Sequence, residues 1–164
     1  MRFLWSVWLI LLTLTACGGG VAADQPPDIR YGEDPCDECH MLIQEKRFAA
    51  AYITEDGQSY RFDDIGDMLL HMQKHSPQIA SAWVHDYDTE EWLRAEEAFY
   101  VHASSLHTPM GYGLAAFATR ERAEAFANEH GGMVMTFDAL RAKDADTLRR
   151  ASAPDETTEH NHDH

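Results

Sequence analysis

The stretch RFAAAYITEDGQSYRFDDIGDMLLHMQKH, residues 47–75, constrains the fold of this chain more than any other. Two short apolar-aromatic runs, Arg47 to Thr54 and Ser59 to Phe62, flank Asp56-Gly57. An Asp-Gly pair between such runs predicts a β-hairpin, because glycine takes the positive φ that the turn requires. Asp63 and Asp64 then stand where a helix cap belongs. Behind them Ile65, Met68, Leu69 and Met72 recur at helical spacing on one face. The first half therefore reads strand, strand, helix.

The second half repeats the theme. Ala82 to His85, Phe99 to His102 and Gly113 to Ala118 are strand candidates. Thr119 caps RERAEAFANEH, whose Ala123, Phe126 and Ala127 form a narrow apolar face, and Gly131-Gly132 ends that helix. Met133 to Phe137 reads as a last strand. Strands and helices in this arrangement predict an α+β fold, with an internal duplication suggested although the halves share little sequence.

The ends of the chain set the compartment. Arg2 precedes an apolar run from Phe3 to Ala16, too short for a bilayer core of about 30 Å that needs about 20 apolar residues. Residues 1–16 read as a secretory signal. Leu14-Thr15-Ala16-Cys17 has a lipobox pattern, which predicts acylation of Cys17 and attachment to a membrane. Gly18, where inner-membrane lipoproteins commonly carry Asp, leans toward the outer membrane. Residues 17–30, rich in glycine and proline, read as a lipidated tether. Residues 146–164 read as a disordered tail, acidic and ending in His160, His162 and His164, which are candidate ligands for a divalent ion. About 115 residues remain for the folded body, divided as units 31–80 and 81–145. Removal of residues 1–16 takes away one positive charge and no negative one, so the net charge of −15 becomes −16. Nucleic acid would be repelled by such a surface. It suits cations, as well as plain solubility.

Within the body, DPCDECHML at residues 34–42 concentrates two cysteines, a histidine and a methionine. A redox dithiol has the CxxC spacing of Cys36 and Cys39, but it needs a depressed thiol pKa, and Asp34, Asp37 and Glu38 work against one. A structural zinc site needs a second tight pair of ligands, whereas His71, His75, His85, His102 and His107 are scattered. A local disulfide between Cys36 and Cys39 is open to a chain exported from the cytosol. Copper(I) is the remaining reading, since a soft cation favours thiolate and thioether. In an extended segment Cys39 and Met41 project to the same side, with His40 pointing away. Met110, between Pro109 and Gly111, sits in a loop and not on an apolar face, unlike Met68 and Met72, which belong to the core.

The ordered set CxxCxM, FDD, DYxTxxW, PMGxG and a terminal GG, spread over residues 34–137, resembles the NosL family of lipoprotein accessory factors of bacterial nitrous oxide reductase. The resemblance implies a periplasmic chaperone that carries Cu(I) toward the catalytic copper–sulfide centre of that reductase, in partnership with the NosDFY ABC-transporter complex. It implies a fold of two small β-β-α units related to part of organomercurial lyase. It maps the sulfur ligands onto Cys39, Met41 and Met110. Cys36 and His40 are further candidates, His40 standing where many members have glycine. Two rival readings are an organomercurial-lyase-like enzyme and a transporter adaptor that binds no metal. The first would need cysteines in the second half of the chain, where there are none.

Overall fold

A computed structural model describes residues 23–152. The signal segment, Cys17 and the tail histidines His160, His162 and His164 lie outside the described residues. The expected hairpin is present: β1 (Ala50–Thr54) and β2 (Ser59–Phe62) pair antiparallel, with Ala50 opposite Phe62 and Ile53 opposite Ser59. Gly57, at φ 82°, closes the turn by donating its N–H to the Thr54 carbonyl. Helix α1 (Ile65–His75) follows, and it buries Ile65, Met68, Leu69 and Met72 as the spacing predicts. It stops at Ser76, which turns left-handed before Pro77.

Every residue of β1 is buried, so the strand needs a neighbour on each edge. β3 (Ile79–His85) supplies the second neighbour, and β4 (Trp92–Arg94) extends the sheet to the order β2-β1-β3-β4. The division at residue 80 is thus corrected. That boundary cuts β3, which belongs to the first sheet because Val84 and Trp83 pair with the central strand. A second sheet has β5 (Phe99–His102) at its centre between β6 (Leu114–Phe117) and β7 (Met133–Thr136). Helix α2 (Arg120–His130) connects β6 to β7 and buries Ala123, Phe126 and Ala127. Both units contain the run strand, strand, helix, strand with the first strand between the next two, and the first unit adds β4 at its edge. The suspected duplication is visible in topology.

Two short helices close the described residues, α3 (Phe137–Arg141) and α4 (Ala145–Ser152). The tail reading is corrected accordingly: residues 146–152 are helical, not disordered. The Asp144 carboxylate accepts from the Thr147 N–H at 2.8 Å, while Ala145 and Leu148 are buried in the core shared with α1. Gln73 of α1 fixes the start of this helix, donating to the Lys143 carbonyl and accepting from the Ala145 N–H. A helix this short and charged is held by tertiary contact, which local composition does not reveal.

The DYxTxxW residues serve the fold. Buried Asp86 accepts from Thr89 in its own turn and from the Ala118 N–H of the second unit at 2.9 Å. Tyr87 packs among Phe48, Phe117 and Phe126, and Trp92 lies against His85. His85 is fully buried, with Nδ1 donating to the Glu90 carbonyl and Nε2 accepting from the Tyr31 hydroxyl at 2.7 Å. Burial therefore holds its pKa down at about 4. A depressed histidine pKa gives stability that is present above the unfolded value of about 6.5 and lost as pH falls through about 4, amounting to about 3 kcal/mol. Urea unfolding of wild type and His85→Phe between pH 7 and pH 4 should show the wild-type advantage shrinking by about that amount. A constant gap across the range would contradict it.

Candidate metal centre

The segment carrying Cys36, Cys39 and Met41 is a closed loop and not an extended strand. Pro35 bridges to Leu42, the Cys36 N–H donates to the Met41 carbonyl at 2.8 Å, and the His40 N–H donates to the Cys36 carbonyl at 3.0 Å. The turn that closes it puts His40 at φ 62°. Glycine takes that left-handed conformation without the cost a Cβ brings, so His40 stands at a position that favours glycine. The expectation that alternation sends Cys39 and Met41 to one side is corrected, because the backbone turns between them. His40 is exposed. Met41 is exposed as well, at 55%. Cys36 is buried beneath the loop, Cys39 is half-buried, and both are free thiols.

The FDD pair fixes this loop and a second one. Asp63 accepts from the Gln44 N–H at 3.0 Å and so fastens the chain that leaves the cysteine loop. Asp64 is the N-cap of α1: Oδ1 accepts from the Gly66 N–H at 2.8 Å. Its Oδ2 accepts from the Thr108 hydroxyl at 2.6 Å and the Met110 N–H at 3.1 Å. The loop of Met110 is thereby tied to the first turn of α1. Gly66 allows this approach, since a Cβ there would lie 1.9 Å from the Tyr112 ring. Burial raises the Asp64 pKa to about 6, against the pull of its three hydrogen bonds.

These attachments bring Cys39 and Met110 to one cavity of about 270 Å³, walled also by Asp67 and Leu70 of α1 and by Asp146 and Arg149 of α4. Cys36 adjoins it from below, donating to Asp67 Oδ2 at 3.3 Å. Donor atoms of Cys36, Cys39 and Asp67 all lie within 4.8 Å of one another, so these three can share one ion. Met41 is not among the residues lining the cavity. Burial pushes both thiols up, and for Cys39 the hydrogen bond to Asp67 adds to the rise. The direction agrees with the sequence reading but the cause differs. Asp34 is engaged by Arg30 and Asp37 by the Arg61 N–H, and the carboxylate that acts on Cys39 is Asp67.

Sequence reasoning passed over Asp67, since an acid in the first turn of a helix needs no further explanation. It also treated His71 and His75 as scattered. One turn apart on α1, they meet Glu38 from the cysteine loop, with donor atoms within 4.8 Å of one another. Helical i, i+4 spacing was the signal that could have found the pair.

Raised pKa values make both thiols slow to alkylate near neutral pH. Iodoacetamide labelling at pH 8 should modify Cys39 well before Cys36, and Asp67→Asn should accelerate Cys39 labelling by roughly three- to tenfold, since it removes the charge that opposes the thiolate. Equal rates in the two proteins would show that Asp67 does not act on Cys39.

Residues 30–145 match the NosL family. A copper-binding lipoprotein NosL of Stutzerimonas stutzeri is 28% identical over 166 residues, spanning 94% of this chain and 86% of that protein. The crystal structure of the copper chaperone NosL from Shewanella denitrificans superposes with a TM-score of 0.60 at 24% identity, over 70% of this chain and 93% of that one. Neither name describes an enzyme, and the structural match gives the same mixed α/β fold of small antiparallel sheets. With the family match spanning both sheets, the cysteine loop and the methionine loop, this chain belongs to the NosL family.

Proposed function

We propose that this protein carries Cu(I), held by Cys39 and Met110 and released to a partner in the assembly of nitrous oxide reductase. One observation carries the reading: a thiol and a thioether from distant loops line a single cavity, both loops being fastened to the Asp63-Asp64 pair at the N-terminal end of α1. Thiolate and thioether suit a soft monovalent ion, which accepts few ligands and leaves room for transfer by ligand exchange. Met41, exposed beside the loop, is the third sulfur and can turn in over the ion or reach out to a recipient. Cys36 supports the site from below, and the solvent-facing His40 stays outside it. The resemblance supplies the recipient, the copper–sulfide centre of nitrous oxide reductase, with NosDFY as the membrane partner. A non-metal adaptor would make the sulfurs dispensable for reductase maturation.

Competition against a Cu(I) chelator tests the ligands. Cys39→Ala should weaken binding on the order of a thousandfold, about 4 kcal/mol, and Met110→Leu by about tenfold, about 1.4 kcal/mol. Asp64→Asn keeps an oxygen for the Gly66 N–H but turns an amide NH2 toward the Met110 N–H. It should cost roughly tenfold or more in Cu(I) affinity by loosening that loop. Since a thiol coordinates only after losing its proton, affinity should fall about tenfold for each unit of pH below neutrality if Cys39 alone ionises. A slope twice as steep would bring Cys36 in as a second thiolate.

The anchor follows from the lipobox and agrees with the lipoprotein named among the relatives. Among the described residues no helix is long and apolar enough to cross a membrane. We place the protein on the periplasmic face of a membrane, with the outer membrane favoured, held through acylated Cys17. Fractionation of Cys17→Ser should find it released to the soluble periplasmic fraction with Cu(I) affinity unchanged. Retention in the membrane fraction would remove acylation as the anchor.

A further inference from the structure

Helix α1 has a second chemically distinct face. His71 and His75 stand one turn apart, their ring centroids 4.3 Å from each other, and Glu38 reaches them from the cysteine loop. Two imidazoles at i, i+4 with one carboxylate form a nitrogen–oxygen donor set with no sulfur in it. Such a set suits borderline divalent ions and not Cu(I). From this juxtaposition we infer that Glu38, His71 and His75 form a separate site for a divalent transition ion of the zinc type.

The environment of His71 is that of a held ligand. It is buried, and Nδ1 is engaged with the Tyr52 hydroxyl at 2.7 Å, which leaves Nε2 as its free donor atom. Tyr52 is itself locked in the core between Tyr60 and Phe62. A hydrogen bond on the far nitrogen is the usual means of fixing the tautomer and ring plane of a metal-binding histidine. His75 is exposed and free to adjust. Donors about 2.1 Å from a tetrahedral ion lie about 3.4 Å apart, and these lie within 4.8 Å of one another, close enough for a small side-chain movement to complete the geometry. The exposed His75 ring has the freedom to make such a movement.

Access is open. Both rings line a cavity of about 590 Å³ together with Glu55 and Asp56, while Glu38 lines the neighbouring cavity of Cys39 and Met110 and meets the rings from that side. Acids in the wall raise the local concentration of cations. Glu38 is ion-paired to Lys74 through one oxygen and keeps the other, while the Lys74 side chain is half-exposed and can turn into solvent. One protein ligand from a loop and two from a helix leave a coordination position for water.

The experiment uses the full-length chain with His160→Gln, His162→Gln and His164→Gln, so that the tail offers no imidazole. Cys39→Ser is included to weaken capture by the thiols. Co(II), a spectroscopic substitute for Zn(II), is titrated, followed by displacement with Zn(II). The expected result is one equivalent of Co(II) bound with no thiolate charge-transfer band, and at least tenfold weaker binding after His75→Gln. Because His75 is exposed, that variant should unfold at the same urea concentration as its parent without metal. Nitrogen NMR should show the His71 ring shifting on Zn(II) addition in the parent and not in the His75→Gln variant. Absence of binding, a thiolate band in its place, or affinity unchanged by His75→Gln would each overturn the assignment and leave His71 as a core histidine satisfied by Tyr52.

Discussion

The acidic pair at the N-terminal end of α1 governs the site. Asp63 and Asp64 are adjacent in sequence, yet each fastens a different loop: Asp63 the chain leaving the cysteine segment, Asp64 the loop of Met110. Asp64 does this while capping the helix, so one buried carboxylate satisfies the Gly66 N–H and two groups of the second loop at once. Hydrogen bonds to an ionised carboxylate are stronger than neutral ones, and the positive end of the helix dipole favours the charge. Burial opposes them, as the raised pKa of Asp64 records. A group so placed ties secondary structure to the geometry of the site, and relaxing it should loosen both together.

The rest of the molecule is arranged to support that pair. Core residues of the first sheet, α1 and α4 form one cluster with Tyr100, Tyr112 and Leu114 of the second unit, so the two units pack as one body. Asp86 links them at another point by capping its own turn and accepting from Ala118. The soft donors themselves are left only partly enclosed. Cys39 and Met110 are half-buried on rigidly held backbone, whereas Met41 stands in solvent. The proposed carrier role would benefit from that combination, because an ion held by few ligands remains reachable.

Much of the fold was legible because its determinants are local. Asp56-Gly57 encodes a turn, Asp64 and Thr119 encode helix starts, and the buried faces of α1 and α2 follow from spacing within a dozen residues. What was missed depends on distant contacts. The helical character of residues 145–152 comes from packing Ala145 and Leu148 against α1, and β4 exists because β3 offers an edge to pair with. The loop at residues 36–41 turns on the left-handed conformation of His40, which a histidine in sequence does not announce.

Sequence by itself determined the chemistry on offer: sulfur donors at Cys39, Met41 and Met110, an acidic surface, a lipobox, and an α+β order of elements. Residue type and local spacing carry all of these. Tertiary structure alone decided which donors meet. It brought Met110 to Cys39, set Asp67 against both thiols, left Met41 and His40 in solvent, and joined Glu38 to His71 and His75. The reason is physical: a ligand set is a matter of a few ångströms between side chains far apart in the chain. Those distances are fixed by the packing of loops on a helix and by buried hydrogen bonds such as those of Asp63 and Asp64, which no local pattern encodes.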